Sequence, residues 1–436
     1  MATGAVSSAL LLAVAWPGFM SYDSLRALQG ARQGVEDALW PPMVSYIWWL
    51  VELVYPGPAG MLFFQNMLLG ASIAWFLNAC GARLAWAVGA TFLTFALPPV
   101  LGPSLVVWKD IEMAAFLMAG YASYASSLGA ARNKRYLLAV CAASLAVACL
   151  VRHNAFFAVV PLITHWALTA VRPLSRGLAA AAIGILAICF LPGTFINSYR
   201  LPDLKPISTR QTDAIKALAA LDAIGASICS DRNFFEGSMK QPFDVDFMRN
   251  NYNAKHLNLN EKILARVDME SFDTAAAYRT ILRDAPRCLF ASKIAMGRFL
   301  LGINDGPVFY ITHAAIDANE FGYTLQPSRL RDWVVQELVA ASYTPLAAPV
   351  TYLLMAAVLV AVAAWRHRRY GIDPREKLLL VSGSVVALTN FLVLPAADLR
   401  YSYWPVVAWS VASLSILSRI TTWRPRGDAT SNGALT

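Results

Sequence analysis

Pro17-Gly18-Phe19-Met20-Ser21-Tyr22-Asp23-Ser24, running on to Trp40-Pro41-Pro42, is the stretch on which the fold turns. An apolar run ends at Phe19, and a turn or two beyond its exit from a bilayer stands a lone carboxylate, Asp23, flanked by Tyr22 and Ser24. Ionisable groups near membrane depth are rare and tend to face a cavity or a partner, which marks Asp23 as a candidate functional residue. A plainer reading also exists. Asp23 or Ser24 would serve as the N-cap of a helix from Leu25 to Gln33, since both side chains accept from first-turn amides. The choice rests on what the rest of the chain places nearby.

Of the 436 residues, 57% are hydrophobic and only 14% charged, and the mean hydropathy is +0.49. Soluble domains carry about a quarter charged residues, so the composition indicates an all-α polytopic membrane protein. The net charge of +9 comes from Lys and Arg spread over short loops rather than from one basic face, and no nucleic-acid partner is implied. Residues 1–6 hold no Lys or Arg, and the apolar run 5–19 falls short of the roughly 20 residues a span needs. Neither a basic n-region nor a small-residue cleavage site marks a signal peptide. The expectation is a first helix that tilts little, or one whose cytoplasmic start is missing.

Nine further apolar runs, at 60–79, 84–98, 111–127, 136–151, 155–171, 177–197, 345–365, 378–394 and 403–417, bring the expected total to about ten spans. The stretch 42–55 is apolar and carries Trp48 and Trp49, but it is short, contains Glu52 and is bracketed by Pro41-Pro42 and Pro56-Gly57-Pro58. Laid flat in the outer interface, it puts Arg83, Arg132, Lys134, Arg135, Arg172, Arg176, Arg366, Arg368, Arg369, Arg375, Lys377, Arg419, Arg424 and Arg426 on the cytoplasmic side. If it spanned, these clusters would lie outside. Both termini are therefore expected in the cytoplasm of a bacterial inner membrane, with Asp23 facing the periplasm or exterior.

The expected division is an N-terminal transmembrane module over 1–197 with its first outer loop at 20–59, an extracytoplasmic segment at 198–344, C-terminal transmembrane helices at 345–419 and a cytoplasmic tail at 420–436. The outer segment is mixed and polar, with helical spacing at 214–228 and 261–267 and two amphipathic helices over 273–301 interrupted at Pro286. It is large enough for a small domain or a lid over the spans. The polar tail after Arg426 is expected to be disordered. Of six cysteines, Cys80, Cys141, Cys149 and Cys189 fall in or beside apolar runs and read as small hydrophobes. Cys229 and Cys288 lie in the outer segment, where an oxidising compartment permits a bridge that no spacing rule forces.

Three cations stand on the outer side against the positive-inside trend: Lys109 beside Asp110, Arg152 in Arg152-His153-Asn154, and Arg400 in Asp398-Leu399-Arg400-Tyr401. Each alone reads as an anchor that snorkels to the headgroups. Together, on the face that carries Asp23, they point to a crevice rimmed with positive charge and holding one or two carboxylates. That set suits transfer of a sugar from a lipid phosphate. The leaving group gains negative charge in the transition state, where fixed cations lower the barrier, and the acceptor hydroxyl loses a proton that a nearby carboxylate can take. Asp23 is the first candidate base and Asp110 the second. Arg152, Arg400 and Lys109 would hold the phosphate, and His153 or Tyr401 would orient it. No DxD pair, HExxH motif or Cys/His spacing demands a metal, although a divalent ion shared by Asp23 and Asp110 is compatible with the residues.

Pro17-Gly18 with Tyr22-Asp23-Ser24, Trp40-Pro41-Pro42, Lys109-Asp110, Arg152-His153-Asn154, Leu221-Asp222-Ala223-Ile224 and Asp398-Leu399-Arg400-Tyr401 resemble, in order and spacing, a bacterial branch of the GT-C superfamily of polyprenyl-phosphate-sugar-dependent glycosyltransferases. That superfamily includes protein O-mannosyltransferases and the aminoarabinose transferases of lipid A. The resemblance implies inverting transfer on the outer face, with the first-loop Asp23 as base and the lipid carrier entering between helices. It implies a polyprenyl-phosphate sugar as donor and a glycan, lipid or protein as acceptor, with phosphate roles for Arg152 and Arg400. Relatives often carry His before the Pro-Pro pair, and Trp40 at that place implies stacking against sugar. Two rivals come from other classes. A transporter or lipid flippase would show repeat symmetry and polar groups near the midplane, whereas here the polar groups cluster at outer helix ends. A noncatalytic envelope assembly protein would tolerate loss of Asp23.

Overall fold

A computed structural model of the chain describes residues 1–34, 42–129, 132–169, 210–366, 372–393 and 396–422. Among these residues it is helical throughout, with isolated β-bridges and no named strand. The helices in the first part are α1 (Ala2–Ala15), α2 (Tyr22–Gln33), α3 (Pro42–Glu52), α4 (Pro58–Ala79), α5 (Leu84–Ala96), α6 (Pro98–Ser104), α7 (Lys109–Ser127), α8 (Lys134–Val151) and α9 (Ala155–Thr169). The segment expected to lie outside the membrane holds α10 (Arg210–Ser230), α11 (Val245–Asn251), α12 (Glu261–Leu264), α13 (Thr274–Asp284), α14 (Pro286–Leu300) and α15 (Arg329–Ala341). The chain then continues with α16 (Pro349–Arg366), α17 (Pro374–Val393) and α18 (Tyr403–Thr422).

Four described helices are long and apolar enough to cross a membrane, namely α4, α8, α16 and α17. A fifth follows if α5 and α6 count as one span, but they meet at a 77° bend, so the run expected over 84–98 is helical to Ala96 and turns at its end. Pro98 and Pro99 begin α6 and supply the break, because proline ends a helix at the residue before it. Helix α7 has the length but not the hydropathy. Its sequence mixes Lys109, Asp110 and Glu112 with Ala, Gly and Ser, and nearly every side chain is buried against neighbouring helices, where small residues permit close approach. The run expected at 177–197 lies outside the described residues, as do Trp40 and the tail beyond 422. Helix α3 has 11 residues, roughly 16 Å of rise, too short to span and in keeping with an interfacial placement. Trp48 on it is fully buried, whereas Trp49, Leu50, Leu53 and Val54 in and after it are exposed.

The junction between α1 and α2 is paired to two distant loops. Gly18, at φ +123° where only glycine sits without strain, turns the chain after α1. The next two residues run extended. The Phe19 amide donates to the Leu105 carbonyl at 3.2 Å and the Val107 amide to the Phe19 carbonyl at 2.9 Å; the Met20 amide donates to Ala315 and the Asp317 amide to Met20, both at 3.0 Å. Phe19 and Met20 are thus a rung between the turn after α6 and a strap of the outer segment. Buried non-helical backbone is tolerated only where its polar groups are satisfied by protein. Here Asn66 Nδ2 donates to the Ser104 carbonyl (2.9 Å), Gln65 Nε2 to Val106 (2.8 Å) and Ser24 Oγ to Val107 (2.6 Å). These bonds fix the direction in which α7 starts.

The outer segment has a core of its own around Ala223, Ile224, Phe235, Met248, Ile263 and Ile281. The two helices expected over 273–301 meet at Pro286, the first residue of α14, a position where its missing N–H costs nothing. Asp273 caps α13 by accepting from the amides of Ala275 and Ala276. Cys229 and Cys288 are bonded to each other, tying α10 to α14. Nearby, Lys293 Nζ lies 2.9 Å from Asp222 Oδ2, which also accepts from Tyr278 Oη at 2.7 Å. Burial pushes the Asp222 carboxyl above its ordinary range against the opposing pull of Lys293.

Candidate functional site

The helix-cap reading of Asp23 is settled by its neighbours. Ser21 is the N-cap of α2, and Ser24 completes a capping box by accepting from the Ser21 amide at 3.1 Å. Asp23 is the second residue of the helix. Its Oδ2 accepts from Arg400 Nη1 at 2.5 Å, across 377 positions of sequence. The same guanidinium donates through Nε to Asp398 Oδ2 at 3.2 Å. Arg400 lies 5.2 Å over the Trp108 ring and 5.2 Å over the Tyr401 ring. Burial works against its charge, yet Tyr401, Asp23 and Asp398 outweigh it and hold Arg400 above its ordinary range.

Tyr401 is shared by two cations. Arg152, at the end of α8, rests 4.8 Å over that ring and forms an ion pair with Asp110 in the first turn of α7. Asp110 is 1% exposed, and its Oδ2 has no hydrogen-bond partner among the described residues. Burial brings Arg152 down to about 10. Beside it, His153 is held below the ordinary imidazole range by burial and by the cations Lys109 and Arg152. Asn154 donates to Asn390 Oδ1 at 3.4 Å, and Asn390 donates to the Tyr401 carbonyl at 2.8 Å, so α9, α17 and the 399–402 turn are joined behind the arginines. Of the residues singled out from sequence, Asp23, Lys109, Asp110, Arg152, Arg400 and Tyr401 are thus brought to one place, with His153 and Asn154 at its edge. Tyr22 is 52% exposed and pairs with Arg26 one turn on, at the surface of α2. Trp40 lies outside the described residues.

Several participants escaped the sequence reading. Trp108 is the N-cap residue of α7, buried, with Nε1 donating to Ser21 Oγ at 2.8 Å. Glu112 is fully buried, and neither of its oxygens has a hydrogen-bond partner among the described residues. It lines a narrow cavity with Asp23, Ser24, Lys109, Val44 and Trp48. Its place in the apolar run at 111–127, two positions after Asp110, was the available signal. On the other side of α3 an apolar groove of about 700 Å³ opens, lined by Leu12, Trp16, Ile47, Val51, Phe63, Met67 and Phe116 among others. A single short helix therefore separates an apolar groove from a cluster of four carboxyl groups and three cations.

Asp23 and Asp110 are held by different arginines. No group of three or more His, Cys, Asp or Glu side chains is gathered as a metal site among the described residues. No family model matches the chain, and no curated protein matches it. Among solved structures the chain is similar to the archaeal oligosaccharyltransferase AglB from Archaeoglobus fulgidus, in complex with an inhibitory peptide and a dolichol-phosphate, with 11% identity and a TM-score of 0.42. The match covers 96% of this chain and 50% of that one, so the chain spans about half the length of that enzyme.

Proposed function

We propose that the protein is a membrane glycosyltransferase that moves a sugar from a polyprenyl-phosphate carrier to an acceptor hydroxyl on the outer face of a bacterial inner membrane, with inversion. The observation that carries this reading is the convergence of Asp23, Asp110, Lys109, Arg152 and Arg400 from four separate stretches of sequence onto one cluster beside an apolar groove. A phosphate with a long isoprenoid tail is the ligand that needs both features. The groove takes the tail, and the cations take the phosphate. The Cys229–Cys288 bond supports placing the outer segment in an oxidising compartment.

In this mechanism the acceptor oxygen forms its bond to the anomeric carbon as its proton passes to the Asp23 carboxylate. The bond from that carbon to the phosphate oxygen breaks, and its electron pair stays on the departing polyprenyl phosphate. Lys109, Arg152 and Arg400 oppose the charge that develops there. Arg400 begins the cycle shared between Asp23 and Asp398, so donor binding competes with Asp23 for one of its N–H groups and leaves the carboxylate for the acceptor. Asp110 keeps Arg152 in place over Tyr401, a supporting role rather than that of a second base.

The test uses purified protein in lipid, a panel of polyprenyl-phosphate sugars and a crude membrane extract as acceptor, and follows release of free polyprenyl phosphate. Asp23→Asn keeps the shape and removes the base, and its expected loss is roughly 10²- to 10⁴-fold. Turnover by Asp23→Asn at the wild-type rate, or no donor consumed by the wild type, sinks the proposal.

A further inference from the structure

The strap formed by residues 307–317 crosses the site and is bonded to three of the loops that build it. Leu399 donates to the Phe309 carbonyl at 3.2 Å, just before Arg400. Thr312 Oγ1 donates to the Gly102 carbonyl at 2.9 Å. Gly102 comes so close to the Ile311 carbonyl that a Cβ has no room there. Ala315 and Asp317 flank Met20, three residues before Asp23. Within this strap Tyr310 has φ +58°, a left-handed conformation that is a genuine outlier for a bulky side chain. Such strain persists only where the surroundings over-determine it, and it concentrates at functional sites.

The side chain shows what holds the strain. Tyr310 Oη is 2.7 Å from His313 Nδ1, and His313 Nε2 is 3.0 Å from Asp317 Oδ1. If the imidazole donates to the carboxylate, its other nitrogen accepts from the phenol, so the three residues form one directed chain. The ring thus locked stacks on Trp108, with centroids 5.9 Å apart and planes 25° from parallel. Trp108 in turn lies under the Arg400 guanidinium at 5.2 Å and is pinned at its edge by Ser21. From Asp317 the contacts run without a gap through His313, Tyr310 and Trp108 to Arg400 and Asp23. The strap side chains meet Arg400 through the Trp108 ring, alongside the backbone bond from Leu399 to Phe309.

We infer that Tyr310 is a positioning residue for the donor phosphate, acting through Trp108 on Arg400, with His313 and Asp317 as the lock that keeps its ring flat against the indole. The inference rests on the reading of Arg400 as a phosphate-holding group. It adds that the outer segment is part of the site rather than an appendage to it, since the plane of Arg400 is set from the strap. Trp108 supplies the negative face of its ring to the guanidinium, and an indole free to rotate would present its positive edge instead. Loss of the Tyr310 ring therefore loosens Arg400 without removing any charge from the site.

The test is a binding titration of undecaprenyl phosphate to the full-length protein in lipid nanodiscs, which needs neither sugar nor acceptor. Arg400→Ala is expected to weaken binding by about tenfold or more. Tyr310→Ala is expected to weaken it by about five- to tenfold. Tyr310→Phe and His313→Gln keep the ring and lose the lock, and each is expected to cost about two- to threefold. The double variant Tyr310→Ala with Arg400→Ala should bind no worse than Arg400→Ala alone, because the effect of Tyr310 passes through that arginine. Additive losses would mean that Tyr310 only supports the fold, and they overturn the inference. So does wild-type binding by Tyr310→Ala or by both lock variants while Arg400→Ala is impaired, an outcome that leaves the proposed function standing. If Arg400→Ala itself binds like wild type, the phosphate reading of the site fails, and the inference fails with it.

Discussion

Replacing Arg400 by Lys keeps the charge and removes the geometry. The guanidinium now spans Asp23 through Nη1 at 2.5 Å and Asp398 through Nε at 3.2 Å, and lies flat over two rings at 5.2 Å each. An ammonium is a point charge and cannot reproduce a planar fork or stack on two rings at once. One charge-assisted hydrogen bond is worth about 1.5–3 kcal/mol, and each stacked ring adds about 0.5–1 kcal/mol. Solvent screens little of this, because the Arg400 side chain is only 13% exposed. Some of the loss falls equally on the resting protein, so about 2–4 kcal/mol is expected to appear in the transition state. That corresponds to a fall of roughly 30- to 1000-fold in kcat/KM. The assay is the initial rate of polyprenyl phosphate release over a range of donor concentrations, with the unfolding temperature of both proteins as the control for folding. A rate for Arg400→Lys within about threefold of wild type would show that only the charge matters, and the reasoning from fork and stacking would be refuted.

Three further outcomes follow from the same structure. The Cys229–Cys288 bond closes a separation of 59 residues, for which chain entropy gives about 4 kcal/mol; the Cys229→Ser/Cys288→Ser double variant should unfold at a clearly lower temperature, and a thiol reagent should label these two positions in wild type only after reduction. Lys293→Met leaves Asp222 buried with its charge uncompensated and should destabilise the outer segment by about 3–5 kcal/mol, with most of that recovered when Asp222→Asn is added; protease sensitivity of the segment reads both, and a single variant as resistant as wild type contradicts the pairing. His153 is held below the ordinary imidazole pKa of about 6.5 by its burial, so the folded state binds fewer protons than the unfolded one. Its contribution to stability is present above that value and lost as pH falls through the lower folded pKa. His153→Gln should flatten the pH dependence of unfolding below about 6.5, and an unchanged profile would assign that dependence elsewhere.

What could be read in advance had a local cause. The pair of helices meeting at Pro286, the short helix α3 between proline clusters and the helical character of 210–341 all follow from periodicity and from where proline withholds an N–H. The site was legible as a set of residue types in a set of places: polar clusters at helix ends on the face that carries Asp23. Its wiring was not. Both Asp23 and Ser24 satisfy the cap rule on paper, and Ser21 took the role because the extended Phe19-Met20 rung sets where the helix begins. Glu112 lay inside the apolar run at 111–127, Trp108 lay between two runs, and Tyr310 and His313 lay in a stretch without periodicity.

The sequence by itself determined the chemical inventory: a helical membrane chain, a lone carboxylate after the first apolar run, and three cations at the ends of apolar runs. Only the tertiary structure decided which carboxylate faces which arginine, that 84–98 turns at its end, and that a strap some 290 residues away lies against the site. The division has a physical reason. Hydropathy, capping and proline effects act within a few residues of their cause, whereas the choice of an ion-pair or stacking partner is made by whichever groups the packed helices bring within a few ångströms. Asp23 and Arg400, 377 positions apart, had no way to announce each other along the chain.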